Sequence, residues 1–327
     1  MNSKVAVVTG AAGFIGTNII NRLLSEEIQV IGVFHNAPPR ISNSKVTWIQ
    51  ADLTDTYECD KIFQKAKEMS SGEIDYLVMA AAFVGGAEKL LNSPMSFVTD
   101  TTVINLYVLQ SAYKYHVKQT LYISSGMGYA ESRFPLTEEH AMDGEPYEKY
   151  YFGGWSRRYT EIICKMYAEK INNPMNISVI RIDNIYGPYD SFSEKKSHVT
   201  AALIRKVVER HNPLEVWGDG LDYKDFIYVE DLVDGALLAL KSAMGFNLYN
   251  IASGQNVTVN ELLHIILKVD GYENVSIVYN MDKPTMIPYK VTCIDKAKKD
   301  LGFEAKTSLE EGISKTIKWY RQNRSII

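Results

Sequence analysis

Near its start the chain passes from a short apolar run, residues 4–8, through three glycines into a stretch, residues 14–24, whose apolar positions recur with helical spacing. That order constrains the fold more than any other feature. A run that is apolar at successive positions suits a strand buried on both faces. Gly10, Gly13 and Gly16 permit positive φ and close backbone approach. A helix beginning there directs unpaired N–H groups and the positive end of its dipole at one point. Strand, glycine turn and helix in this order form a cradle for a pyrophosphate, with contacts expected from Gly10, Ala12, Gly13, Phe14, Ile15 and Gly16.

The following segments extend the pattern. A second strand at 29–34 ends at His35, where an acidic residue would bind the adenosine ribose hydroxyls of NAD. His35 brings no such carboxylate, and Arg40 can pair with a 2′-phosphate, so the reading leans to NADP while NAD stays open. Arg40 also reads as a solvated loop residue. A third strand at 46–50 leads to Asp52 and Leu53, expected near the adenine, with Thr54 or Asp55 as a helix cap. A fourth, at 76–79, runs into Ala80, Ala81 and Ala82, whose small side chains let a cofactor lie close. Strands and helices alternate through residue 125, which predicts an α/β fold: a Rossmann-type doubly wound parallel sheet. The expected division is a dinucleotide-binding domain over 1–182, completed by parts of 221–245, and a smaller C-terminal α/β substrate lobe over 183–327. Short strands at 246–252 and 275–279, a helix at 198–210, a capped helix from Thr258 and Glu261, and a terminal helix at 308–322 are placed in that lobe.

Composition narrows the partners. The 35 basic and 39 acidic residues leave a formal charge of −4, so no basic field attracts nucleic acid or anionic lipid. No apolar run approaches the roughly 18 residues of a membrane span, and the first residues lack a signal-peptide pattern. Cys59, Cys164 and Cys293 form no metal-ligand spacing, so no metal is expected and a reduced, cytoplasmic location is.

Five segments carry a family resemblance: the glycine turn; residues 80–86 with Val84, Gly85 and Gly86; Tyr186-Gly187-Pro188 through Ser197-His198-Val199; residues 216–220; and residues 225–232. With them the chain resembles the extended short-chain dehydrogenase/reductases, also called the NAD-dependent epimerase/dehydratase family. Within it, the likeness is to the GDP-L-fucose synthase branch, NADPH-dependent epimerase-reductases of GDP-4-keto-6-deoxymannose. The resemblance spans nearly the whole chain. It implies a nucleotide-sugar substrate, a homodimer paired through helices near 95–116 and 152–171, and a set of site residues. Ser124 matches the serine that binds the reacting sugar oxygen, and His198 the general acid of epimerisation. Val84, Gly85, Ser125, Gly126, Asn184, Val199, Arg205, Trp217, Lys224 and Lys290 fall at positions lining the sugar and its diphosphate.

The departures bear on catalysis. Counted from Ser124, the family tyrosine position holds Gly153 and its lysine position Arg157. Arg157 can hold ribose hydroxyls but stays protonated and relays no proton. The cysteine that serves the family as epimerisation base is replaced by Gly126. Tyr147, Tyr150, Tyr151 and Tyr129 are the nearby candidates for a substitute acid; a literal Tyr-x-x-x-Lys at Tyr279 and Lys283 reads as chance. Two functions follow: an NAD(P)-dependent nucleotide-sugar epimerase or reductase with a non-standard proton donor, on a GDP-linked keto- or deoxy-sugar, or a binding protein that keeps the fold without turnover.

Overall fold

The computed structural model describes residues 4–70, 72–83, 95–194 and 196–324. Seven parallel strands form its central sheet: β1 (Val5–Thr9), β2 (Gln29–Phe34), β3 (Val46–Gln50), β4 (Tyr76–Met79), β5 (Gln119–Ser125), β6 (Ile177–Ile182) and β10 (Phe246–Asn250). Their order is β10-β6-β5-β4-β1-β2-β3, so the direction of winding reverses beside β1. Every residue of β1, β4 and β6 is buried, as strands covered by helices on both faces must be. Helices α1 (Phe14–Ser25) and α6 (Val229–Lys241) cover one face through Ile19, Ile20, Leu23, Leu232 and Leu240. Helices α2 (Thr56–Met69), α3 (Thr101–Lys114) and α4 (Tyr151–Glu169) cover the other through Ile62, Phe63, Leu109 and Cys164. Each such aliphatic side chain, taken fully out of water, contributes roughly 1.5–3 kcal/mol.

Strand register sets the geometry of the site. Thr9 lies opposite both Val33 and Met79, and Ser125 lies opposite Ile182. The residues after these positions, Gly10, Ala80, Gly126 and Asp183, therefore emerge along one carboxyl edge of the sheet. This is the edge where open parallel sheets bind ligands, at the point of reversal.

The smaller lobe has its own core. Helices α5 (Val199–Val208), α7 (Val259–Asp270) and α9 (Leu309–Asn323) pack through Ile204, Leu263 and Ile313 against β8 (Leu214–Trp217) and β9 (Tyr223–Tyr228). Strand β9 pairs with β7 (Asn184–Tyr186), β11 (Asn256–Thr258) and β13 (Tyr289–Lys290), while β12 (Ile277–Asn280) pairs with β8. The short helix α8 (Asp295–Leu301) follows β13. Thr258 and Glu261 form the reciprocal cap of α7 expected from sequence, and Gly271 ends that helix at φ +68°.

Two placements differ from the sequence reading. The strand expected at 246–252 in the smaller lobe is β10, and it extends the large sheet beside β6. An apolar strand that follows α6 can bury its face by adding to the edge of the parallel sheet, a choice that composition alone does not make. His198 is the N-cap of α5 rather than its first residue. The cap of α2 is Asp55, whose carboxylate accepts from the amides of Tyr57 at 2.7 Å and Glu58 at 3.4 Å.

Candidate active site

The glycine turn has the shape of a phosphate cradle. Gly10 sits at φ +65°, and a Cβ there would stand 2.6 Å from the Ala80 carbonyl oxygen. The end of β4 thus crosses the turn at a distance that only glycine allows. Thr9 ties the two strand ends together, its hydroxyl accepting from the amides of Ala80 and Ala81 at 3.2 Å each. Gly13 caps α1 with extended backbone, with no side-chain cap and no acidic residue in the first turn. The first-turn amides, those of Phe14 and Ile15 among them, are left for an outside acceptor, which fits a pyrophosphate. Ala12 is buried in the same turn.

Farther along the edge, His35 is exposed at the end of β2 and its carbonyl accepts from Gln50 Nε2 at 2.9 Å. Arg40 donates to the Tyr189 carbonyl and lies beside the buried Asp190. Asp190 accepts from the Ser191 amide at 2.7 Å through Oδ1, while Oδ2 has no partner, and burial pushes its carboxyl up to about 7. Asp52 closes a turn by accepting from the Thr54 hydroxyl at 2.7 Å and amide at 2.9 Å, bonds that hold its carboxyl below the usual range. Leu53 is buried in the core. Ala82 is half-buried, and Val84 and Gly85 lie outside the described residues.

Behind the edge is a sealed polar network. Ser124 is buried and donates to Glu161 Oε1 at 2.5 Å. Arg181 holds both oxygens of Glu161, at 3.0 and 2.6 Å, with the two side chains 0% and 1% exposed. Its guanidinium stacks 4.2 Å from the Tyr129 ring centre, and the Tyr129 hydroxyl donates to Asn250 Oδ1 at 2.7 Å. Desolvation keeps the Tyr129 phenol protonated well above its ordinary range. Arg157 donates to the buried Tyr122 hydroxyl at 3.1 Å. Four residues expected near the chemistry from sequence, Ser124, Arg157, Tyr129 and Tyr151, are thus divided. The first three are tied to buried partners, and Tyr151 is half-buried with its ring edge-on to Phe152 and Trp155.

At the mouth of the crevice a different group gathers. Ser125, half-buried at the end of β5, accepts from the Met127 amide at 3.2 Å. Asp183 follows β6 and pairs with Lys290 at 2.5 Å, while its second oxygen accepts from Thr292 Oγ1 at 3.0 Å. Lys224 pairs with Asp222 at 3.0 Å and donates to the Ile287 carbonyl at 2.8 Å; desolvation lowers its pKa. Lys290 lies 5.7 Å from the Tyr150 ring centre. Burial, reinforced by the charges of Asp183 and Asp222, keeps the Tyr150 phenol protonated far above its usual range. Arg158 fixes the wall that carries these residues, donating to the carbonyls of Gly128, Gly144 and Asp143 at 2.6–2.8 Å.

The smaller lobe contributes the rest. His198 is exposed at the start of α5, and desolvation lowers its pKa. Val199 follows it, half-buried. Asn184 Nδ2 donates to the Asp225 carbonyl at 2.8 Å. Arg205 pairs with Glu194 and Glu209, at 3.3 and 3.4 Å, within the lobe. Trp217 is 37% exposed, with Lys283 over its ring and its indole N–H donated to Glu215. Two surface hollows, beside Lys318 and Arg321 and beside Arg22 and Lys241, include none of the crevice residues. Among the described residues there is no cluster of metal-ligating side chains and no helix long and apolar enough to cross a membrane.

Sequence reasoning passed over Asp183 and Asp222. The one local signal was Gly126: a glycine in place of a reactive side chain leaves a space that another residue can enter. The model of the NAD dependent epimerase/dehydratase family matches residues 6–252. The chain is 30% identical to GDP-L-fucose synthase 1 of Arabidopsis thaliana over 97% of its own length and 93% of the relative's. It is 29% identical to GDP-L-fucose synthase of Sinorhizobium fredii, with 99% and 97% covered. In structure it is similar to UDP-glucose 4-epimerase of Thermotoga maritima, with a TM-score of 0.86, 26% identity, and 98% and 99% of the two chains covered.

Proposed function

Given that the chain belongs to the NAD dependent epimerase/dehydratase family, we propose that it is an NAD(P)-dependent epimerase or reductase of a GDP-linked keto- or deoxy-sugar, with Tyr150 as its proton donor. One observation carries this reading: Ser125, Tyr150, Lys290 and Lys224 gather where the carboxyl ends of β5 and β6 meet the start of β9, on the edge that also bears the glycine turn. A bound nicotinamide supplies or accepts hydride. The chain's own residues do the rest. The amides at the start of α1 hold the pyrophosphate. Tyr150, kept protonated by burial, offers a phenolic hydrogen to the sugar oxygen, and the open hydroxyl of Ser125 orients that oxygen. Lys224 faces the sugar diphosphate, exchanging its carboxylate partner Asp222 for phosphate oxygens, and Lys290 adds positive charge beside it while keeping its pair with Asp183. His198 serves as acid at a neighbouring carbon.

Calorimetric titration with NADPH and NADH, then addition of GDP-4-keto-6-deoxymannose, tests the proposal. Loss of NADPH absorbance reports reduction, and proton exchange at the sugar without it reports epimerisation. Tight binding with neither leaves the second reading, a nucleotide-sugar-binding protein. Absence of cofactor binding sinks both. Arg40→Ala should weaken NADPH about tenfold more than NADH if that arginine leaves the Tyr189 carbonyl for a 2′-phosphate. Desolvation lowers the pKa of His198, so the acid form is present below its folded pKa and lost as pH rises through it. Exchange assigned to His198 should therefore fall off on the alkaline side of a midpoint below the ordinary imidazole range.

The same reading includes a homodimer. Phe152, Trp155, Tyr159, Ile162 and Met166 line one side of α4, exposed by 38–65%, a stripe too apolar to be left in water. Ile162→Glu should convert the dimer to a monomer in sedimentation velocity; a wild-type monomer at micromolar concentration would refute the assignment.

A further inference from the structure

Gly126 and Asp183 meet across the end of the sheet. A Cβ built on Gly126 would lie 2.5 and 2.6 Å from the two carboxylate oxygens of Asp183. The carboxylate therefore fills the volume into which a side chain at 126 would project, immediately after the half-buried Ser125. It is held there by two residues of one further segment, at the end of β13 and just beyond it. Lys290 of β13 pairs with one oxygen at 2.5 Å, and Thr292 donates to the other at 3.0 Å. Asp183 keeps part of its surface open, while Lys290 is 7% exposed. The contrast with Glu161 is informative. That carboxylate is sealed by Arg181 and Ser124 and has no route to a ligand, whereas Asp183 stands at the crevice mouth beside Tyr150.

We propose that Asp183 is the catalytic base of the epimerisation step, taking the proton from the carbon next to the sugar ketone. The inference rests on the epimerase reading above. As the C–H bond breaks, its proton passes to a carboxylate oxygen of Asp183, and its electron pair forms the C–C double bond while the carbonyl pair moves onto oxygen. Return of those electrons draws a proton onto the opposite face of the same carbon from the protonated donor, His198 in that reading. The sugar gains and loses one proton, no electrons leave it, and solvent resets Asp183 and His198. Lys290 and Thr292 are positioning residues that aim the carboxylate across Gly126.

The experiment follows deuterium uptake from heavy water into GDP-4-keto-6-deoxymannose by mass spectrometry, without reduced cofactor. Wild type should take up label at a carbon flanking the ketone. Asp183→Asn should slow uptake by about 100-fold, with NADPH binding by calorimetry retained. The double variant Asp183→Ala with Gly126→Cys places a thiol in the same volume. It should restore uptake to within about tenfold of wild type and make it sensitive to iodoacetamide. Asp183→Asn exchanging within about threefold of wild type overturns the assignment alone. Should Asp183→Asn fail to fold, a folded double variant that does not exchange overturns it equally. A wild type that exchanges no label overturns the epimerase reading itself, and Asp183 with it.

Discussion

Residues 181 and 183, two places apart on one strand end, carry the two most enclosed ion pairs near the crevice, and they are built differently. Arg181 and Glu161 are closed off completely, with Ser124 and the Tyr129 ring completing the enclosure. Asp183 and Lys290 bridge the large sheet and the smaller lobe, each keeping a little open surface, with Thr292 and Tyr150 beside them. A fully buried pair is a structural commitment, because removing one partner strands the other charge in a medium of low dielectric. A pair at the mouth of a cleft can trade partners when a ligand arrives. The first pair belongs to the fold; the second is the one the proposal above assigns to the chemistry.

Breaking the first pair should give the largest loss of stability. Glu161→Gln leaves the Arg181 guanidinium without its counter-charge and should cost about 3–5 kcal/mol in urea unfolding. Lys290→Met should cost only about 1 kcal/mol of stability but slow turnover of the sugar by about 100-fold with cofactor affinity unchanged. If both substitutions unfolded the chain equally, the distinction would fail. Gly126→Ala sharpens the contrast from the other side. Its methyl meets the Asp183 carboxylate, so it should lower stability by about 1–3 kcal/mol and slow exchange, leaving the Arg181 pair intact.

The smallest expected effect concerns a third carboxylate, which has no cation sealing it. Burial raises Asp190 to about 7, with only the Ser191 amide and Arg40 opposing that shift. The folded state therefore holds a proton that the unfolded chain has released above its carboxylate range. Stability should fall as pH rises from about 4 to about 7. Asp190→Asn should flatten that part of the profile in thermal melts across pH; an unchanged slope would show that other groups produce it.

The cofactor half was legible because its signals are local. An apolar run, three glycines and a helical repeat lie within residues 4–24, and strands read at 29–34, 46–50 and 76–79 match β2, β3 and β4. Tyr129 and Ser124 show where such reading stops. They were expected beside the chemistry, but hydrogen bonds to Asn250 and Glu161, 121 and 37 residues away, direct their hydroxyls into the interior. Likewise Arg157 reaches Tyr122.

Taken by itself, the order of residues determined the parallel sheet and the passage from strand through glycine turn to helix at its start. Each depends on backbone preference or burial pattern over a few neighbouring positions. Tertiary structure alone decided which hydroxyls are sealed and which stay open, that β10 joins the large sheet, and that a carboxylate from residue 183 fills the space above Gly126 with a lysine from residue 290 behind it. Those facts depend on strand register and on the docking of the smaller lobe, which bring distant residues within ångströms of each other and leave no periodic trace along the chain.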